Sequence, residues 1–162
     1  MLTMLALLAV STMTLSLTSC NDDDDKDNKN VSLYKQWKAT AAEAAMPEFM
    51  QYTYSDVCFD FSQKGKFYIY CKMKIDKGVY KKGKWYTYDE RTITVTPETE
   101  TTGTIEETGL PLIPLSSKKD ISHVTYKYEL TKNTLTLYNF VEEPITLKVT
   151  SGIKSEGYLE DH

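Results

Sequence analysis

Apolar and polar residues alternate through much of this chain. Val57, Phe59 and Phe61, then Phe67, Ile69, Cys71, Met73 and Ile75, take every second position, with Tyr68, Tyr70, Lys72 and Lys74 between them. A period of two puts one set on a buried face and the other on a solvated face, the pattern of a half-buried strand. Followed along the chain, it predicts eight strands: Leu33 to Thr40, Val57 to Ser62, Lys66 to Ile75, Val79 to Tyr88, Thr92 to Thr96, Ile121 to Leu130, Thr134 to Phe140 and Ile145 to Ser151. Gln63-Lys64-Gly65, Asp76-Lys77-Gly78 and Asp89-Glu90-Arg91 are short and polar, as hairpin connections require. Ala41 to Tyr52, interrupted by Pro47, predicts one or two helical turns, and Pro97 to Asp120 a long loop. The end of the chain, Gly152 to His162, is expected to fray.

Eight antiparallel strands in sequence order predict an all-β, up-and-down eight-stranded barrel whose interior holds side chains or one small ligand. An open sandwich is the structural rival. In such a barrel, connections leaving odd strands lie at one end and those leaving even strands at the other. The long pieces Ala41 to Ser55 and Pro97 to Asp120 leave the first and fifth strands and so share an end. Gln63 to Gly65, Asp89 to Arg91 and Thr131 to Asn133 close the other. A mouth and a floor are therefore expected, with the chain entering at the floor.

The start of the chain has a different character. Leu2 to Leu17 is apolar or small, too short for a spanning helix of about 20 residues but suited to the core of a signal peptide. Leu17-Thr18-Ser19-Cys20 resembles the lipobox of bacterial lipoproteins, whose cysteine accepts a lipid and becomes the first mature residue. No Lys or Arg precedes the apolar core, which departs from that pattern. The run Asn21 to Asn30, with Asp22 to Asp25 and Asp27, cannot bury surface and reads as a tether. At about 3.4 Å per residue it reaches at most about 35 Å. An acidic run directly after a lipidated cysteine also resembles the export signal of Gram-negative surface lipoproteins. The resemblance implies an outer-membrane lipoprotein facing the periplasm or the cell surface. The division expected is 1–19 signal peptide, 20–31 lipidated cysteine and tether, 32–151 barrel and 152–162 tail.

Composition narrows the functional classes. The chain has 162 residues, 19 basic and 23 acidic, for a net charge of -4. Nothing in that balance suggests nucleic-acid binding, which needs a basic face. Twelve tyrosines and frequent threonine suit strands. His123 and His162 lack Cys or His partners at metal spacing, and no Ser-His-Asp set or phosphate-binding glycine loop stands out. Neither an enzyme nor a cofactor is expected. Asp60 is a strand carboxylate expected to be exposed.

Trp37 near the opening strand, and Gly83-Lys84-Trp85-Tyr86 followed by Ile93 and Val95, resemble the lipocalin-like domain of many bacterial lipoproteins over Leu33 to Val149. Lys35 stands where ligand-carrying lipocalins have glycine, two places before the tryptophan. The resemblance implies a small barrel and transfers no chemistry.

Candidate ligand-binding residues are Phe59, Phe67, Ile69, Met73, Trp85 and Tyr126 of the interior and Leu110, Leu112 and Ile113 of the mouth, with Cys20 for lipidation. The expected interior set also holds Phe61, Ile93, Val95, Tyr128, Leu135, Leu137 and Leu147; it either encloses a small apolar ligand or fills the barrel. Leu110 to Leu115 either caps the barrel or lines a portal. Tyr68, Tyr70, Tyr86 and Tyr88 fall on the outward face, where they offer a platform for a glycan or protein or simply pack on the strands. Cys58 and Cys71 are expected on opposite faces and unbonded.

Overall fold

The structure, a computed structural model, describes residues 31–108 and 123–160. Eight strands form a closed antiparallel barrel in sequence order: β1 (Gln36–Thr40), β2 (Tyr54–Asp60), β3 (Lys66–Met73), β4 (Trp85–Pro97), β5 (Thr102–Thr108), β6 (His123–Leu130), β7 (Thr134–Tyr138) and β8 (Ile145–Thr150). One short helix, α1 (Glu48–Thr53), lies between β1 and β2. The barrel closes where Trp37 of β1 faces Val149 of β8. Closure leaves no long open edge, the liability of any flat sheet.

The fold class and strand number are as expected, but two strands differ from the sequence reading. Asp89-Glu90-Arg91 is not a turn: β4 runs through it, joining Thr92 to Thr96 with the end of the expected fourth strand. Val79 to Lys84 lies outside the strand, in the connection before β4. The fifth strand is instead Thr102–Thr108, inside the expected loop. Its inward positions are Gly103, Ile105 and Glu107, facing Tyr128, Tyr126 and Val124 of β6. With one large apolar residue among the three, the alternation signal is erased. Packing explains the glycine: a Cβ at Gly103 would meet the Thr96 carbonyl at 2.5 Å and the Tyr128 hydroxyl at 2.7 Å. The Tyr128 ring occupies the space a side chain would need.

A bulge resets the phase of β4. Ile69 faces Asp89 while Tyr70 faces Thr87, so two consecutive residues, Tyr88 and Asp89, turn inward. Trp85, expected inside, pairs with Lys72 on the outer wall, where the Lys72 ammonium sits 5.9 Å from its ring centroid. Tyr86 and Tyr88, expected outside, are buried. The sequence reading places Trp85 in phase with Ile93 and Val95, which are inward, but the bulge breaks that phase between them. Tertiary packing chose the opposite phase.

Bulky side chains fill the interior. Phe61 stacks on Phe67 at 4.5 Å, Phe59 meets Phe67 edge-on at 5.2 Å, and Trp37, Ile69, Ile105, Leu135, Leu137 and Leu147 are buried around them. Ile93 and Tyr128 are buried and Val95 is partly so. The Trp37 indole donates to the Leu33 carbonyl at 3.0 Å, satisfying its single polar group.

The two ends differ. Connections 61–65, 98–101 and 131–133 are tight, and β1 is entered at that end. Connections 41–53, 74–84 and 139–144, and the strand ends joined by 109–122, lie at the opposite end. The tail 152–160 is docked rather than frayed. The Gln36 amide accepts from Ile153 N–H (3.0 Å) and donates to its carbonyl (2.8 Å). Beyond it, Tyr158 bridges Thr87 in parallel, and Leu159 is buried. The tail fills an edge that β4 leaves open because β5 stops at Thr108, opposite Thr92. Asp60 is buried, accepting from Gln36 Nε2 and Ser62 N–H at 2.8 Å each.

Candidate functional site

The end bearing the long connections is assembled from three directions. At the β1 side, Thr40 and Glu43 form a reciprocal cap: Glu43 Oε2 accepts from Thr40 N–H (2.9 Å) and Thr40 Oγ1 accepts from Glu43 N–H (3.2 Å). These bonds hold the Glu43 carboxyl below its ordinary range. The turn they start, followed by Pro47 and α1, buries Ala41, Ala44, Met46 and Met50. Met50 meets the wall residues directly, because the Tyr88 hydroxyl donates to its sulfur at 3.7 Å. Tyr54 packs edge-on against Tyr88 at 6.2 Å, with Cys71 and Met73 buried beside them on β3. Burial pushes Tyr54 up to about 12 and raises Tyr88 as well.

The second contribution comes from β7. Asn139 takes a left-handed conformation, φ 65°, immediately after the strand. Asparagine tolerates that region better than most residues. The turn sends Phe140 back into the barrel, where its ring meets Phe59 and Tyr126 at 5.2 Å each. Phe140 thus packs into the interior against Phe59, Phe67 and Tyr126.

The third contribution is a buried charge cluster from the middle strands. Arg91 of β4 donates from Nε to Asp89 Oδ2 (2.7 Å) and from Nη1 to Glu107 Oε1 and Oε2 of β5 (2.7 and 2.8 Å). Tyr126 of β6 donates to Glu107 Oε1 at 3.0 Å, and Asp89 Oδ1 accepts from Glu90 N–H at 2.8 Å. All four side chains are buried. Burial alone would lower the Arg91 value, but the facing carboxylates outweigh it and hold the guanidinium firmly charged. Desolvation, then Glu107, drives Tyr126 far up. Among the described residues no buried side-chain polar atom lacks a partner. The cluster is a satisfied polar inset in an apolar interior with two formal negative charges against one positive.

Of the sequence-based candidates, Phe59, Phe67, Ile69, Met73 and Tyr126 all point inward, and Tyr126 joins the charge cluster. Trp85 does not. Leu110, Leu112, Ile113 and Cys20 lie outside the described residues. Asp89, Arg91, Glu107 and Phe140 were missed by the alternation. One signal could have recovered β5: Thr99-Glu100-Thr101-Thr102 repeats the spacing of Thr131-Lys132-Asn133-Thr134. Both are turns in which the first threonine hydroxyl accepts from the fourth residue's N–H, at 3.0 Å in each. Cys58 and Cys71 are free and face opposite sides, and burial raises both thiols away from the reactive thiolate. On the outer wall Tyr68 and Tyr70 stack at 6.1 Å with 22° between their planes. A groove of about 690 Å³ opens at the tight end, lined by Lys35, Gln36, Val149 and residues 150–154.

No family model, curated protein or solved structure matches this chain. The class is therefore defined by architecture: a closed, eight-stranded, antiparallel up-and-down β-barrel.

Proposed function

We propose that this chain is a lipid-anchored, exported, lipocalin-like protein that binds a small apolar or amphipathic ligand at the end bearing its long connections. The observation that supports this reading most is the asymmetry of the barrel's ends. Described connections of 6 to 13 residues gather at one end and those of 3 to 5 at the other, where the chain enters. Tethering at Cys20 would then hold the floor toward the membrane and leave the opposite end free. Since Phe59, Phe61, Phe67 and Phe140 fill the middle, the ligand sits near that end, against Met50, Tyr54, Met73 and Tyr88. The Asp89, Arg91 and Glu107 cluster supplies a polar boundary below an apolar wall, the mix that fixes a ligand's orientation.

Native mass spectrometry of residues 31–162, followed by organic extraction, tests this reading. A stoichiometric small molecule, lost when Met73 is changed to Trp to fill the end of the barrel, is the expected outcome. A clean apo mass from a folded barrel would turn attention to the second reading, a surface module that takes glycan or protein. That reading now rests on the stacked Tyr68 and Tyr70 alone, because Tyr86 and Tyr88 are buried.

A further inference from the structure

The connection 74–84 has five lysines, Lys74, Lys77, Lys81, Lys82 and Lys84, in a chain that is acidic as a whole. The same segment exposes Ile75 and Val79, at 49% and 79%. Beside it, α1 exposes Phe49 and Tyr52, at 72% and 67%, one helical turn apart and therefore on one face. The two pieces are physically joined: Lys74 N–H donates to the Thr53 carbonyl (2.8 Å) and Lys74 Nζ to that of Gln51 (3.3 Å). Four large apolar side chains thus project from one end of the barrel with ammonium groups among them.

Three of the neighbouring acids are engaged, and Glu142 and Glu143 stand in the connection 139–144, four strands away around the barrel. Asp76 accepts from the Lys82 N–H at 2.7 Å, Glu156 pairs with Lys84 at 3.1 Å, and Glu48 accepts from Tyr52 at 3.3 Å. Glu160, at the end of the tail, donates its own N–H to the Tyr80 hydroxyl. Lys77, Lys81 and Lys82 are left at the tip beside Val79.

We infer that this end is a membrane-docking surface for an anionic bilayer, with Phe49, Tyr52, Ile75 and Val79 entering the interface and the lysines contacting headgroups. The chemistry favours lipid over a protein partner. The cores of protein interfaces are depleted in lysine, whereas interfacial membrane sites combine aromatic or aliphatic tips with lysine. The apolar groups are also largely exposed, 49% to 79%, as side chains that enter an interface must be. This is the end that a tether at Cys20 would leave free, so an acylated chain would have to turn over on that tether, up to about 35 Å long, to bring it to the anchoring bilayer.

Co-sedimentation of the full chain with phosphatidylcholine vesicles, with and without phosphatidylglycerol, tests it. Any contribution of the apolar N-terminal stretch sets the neutral-vesicle baseline, and the increment on anionic vesicles reads the docking surface. Each lysine near an anionic surface is worth about five-fold in partitioning, so Lys77→Gln, Lys81→Gln and Lys82→Gln together lower the increment about a hundred-fold. Phe49→Ser with Val79→Asp lowers it about ten-fold or more by removing the inserted groups. All five positions are exposed, so the circular dichroism spectrum stays that of the parent. The absence of an anionic increment, or an undiminished one in both variants, overturns the proposal. Retention on a poly-glutamate matrix without vesicle binding also overturns it and assigns the surface to an acidic protein.

Discussion

Arg91 shows how one side chain can hold a barrel interior together and yet leave no mark on a hydrophobicity pattern. Two carboxylates converge on its guanidinium from β4 and β5, and a tyrosine from β6 ties one of them to the next strand. Removing one partner of such a buried group strands the other charges, a loss of about 3–5 kcal/mol. Arg91→Met is therefore expected to lower the stability measured by urea unfolding by that amount. Adding Asp89→Asn and Glu107→Gln removes the stranded charge while keeping acceptors for Glu90 N–H and the Tyr126 hydroxyl, and should return most of the loss. If the triple variant folds as well as the parent, the cluster is dispensable for stability, and its placement beside the proposed ligand end gains functional weight. An Arg91→Met protein as stable as the parent would contradict the buried pairing itself.

At the scale of elements, β4 and its partners explain both the closure and its one weak seam. β4 is 13 residues long and β5 only 7, so among the described residues no named strand pairs with the first half of β4 on that side. The tail supplies the missing partner through Thr87 N–H to Gly157 carbonyl (2.8 Å), Leu159 N–H to Thr87 carbonyl (2.9 Å) and Glu156 N–H to Trp85 carbonyl (2.8 Å). Three backbone bonds and one buried leucine, offset by the ordering of a short segment, leave a net contribution of about 2 kcal/mol. Deleting residues 155–162 should lower the unfolding midpoint accordingly and expose a strand edge. The truncated protein is expected to self-associate in analytical ultracentrifugation. A monomer of unchanged midpoint would mean that the docked tail adds nothing to the barrel. This seam was not legible in the sequence, because residues 152–160 show no alternation and their pairing depends on where β5 happens to stop. The tight turns were better written. Gln63-Lys64-Gly65 places its glycine at φ 79°, a conformation that favours that residue, and the expected hairpin forms there.

For the molecule as a whole, the buried acids define a window of pH stability. Cys58 and Cys71 are raised by burial above 9.0, and Tyr54 from 10.0 to about 12, with Tyr88 and Tyr126 raised also. Unfolding restores ordinary values, so above about pH 9 the unfolded chain holds fewer protons than the folded one and stability falls as pH rises. Below that point both states are protonated at these groups and their contribution is complete. Urea midpoints should therefore be level from about pH 7 to 8.5 and then decline, with the buried tyrosines' share of the tyrosinate absorbance appearing together with unfolding. A level profile to about pH 11 would be incompatible with these side chains being buried.

What the sequence determined by itself was the fold class, a count of eight reached by dividing β4 in two and missing β5, the inward set on β2, β3, β6, β7 and β8, and the end that carries the long connections. These follow from local rules: period-two burial, turn chemistry, and the parity of an up-and-down chain. What only the tertiary structure decided was the phase of β4, the existence of β5 and the charge cluster between them. A bulge can invert a strand's faces without any change in composition. An inward glutamate is tolerable only when an arginine from the next strand meets it, and an inward glycine only when a distant tyrosine ring covers it. Glu107 and Gly103 are read as loop residues until Arg91 and Tyr128 are placed beside them. That placement is a property of the closed barrel and of no single segment within it.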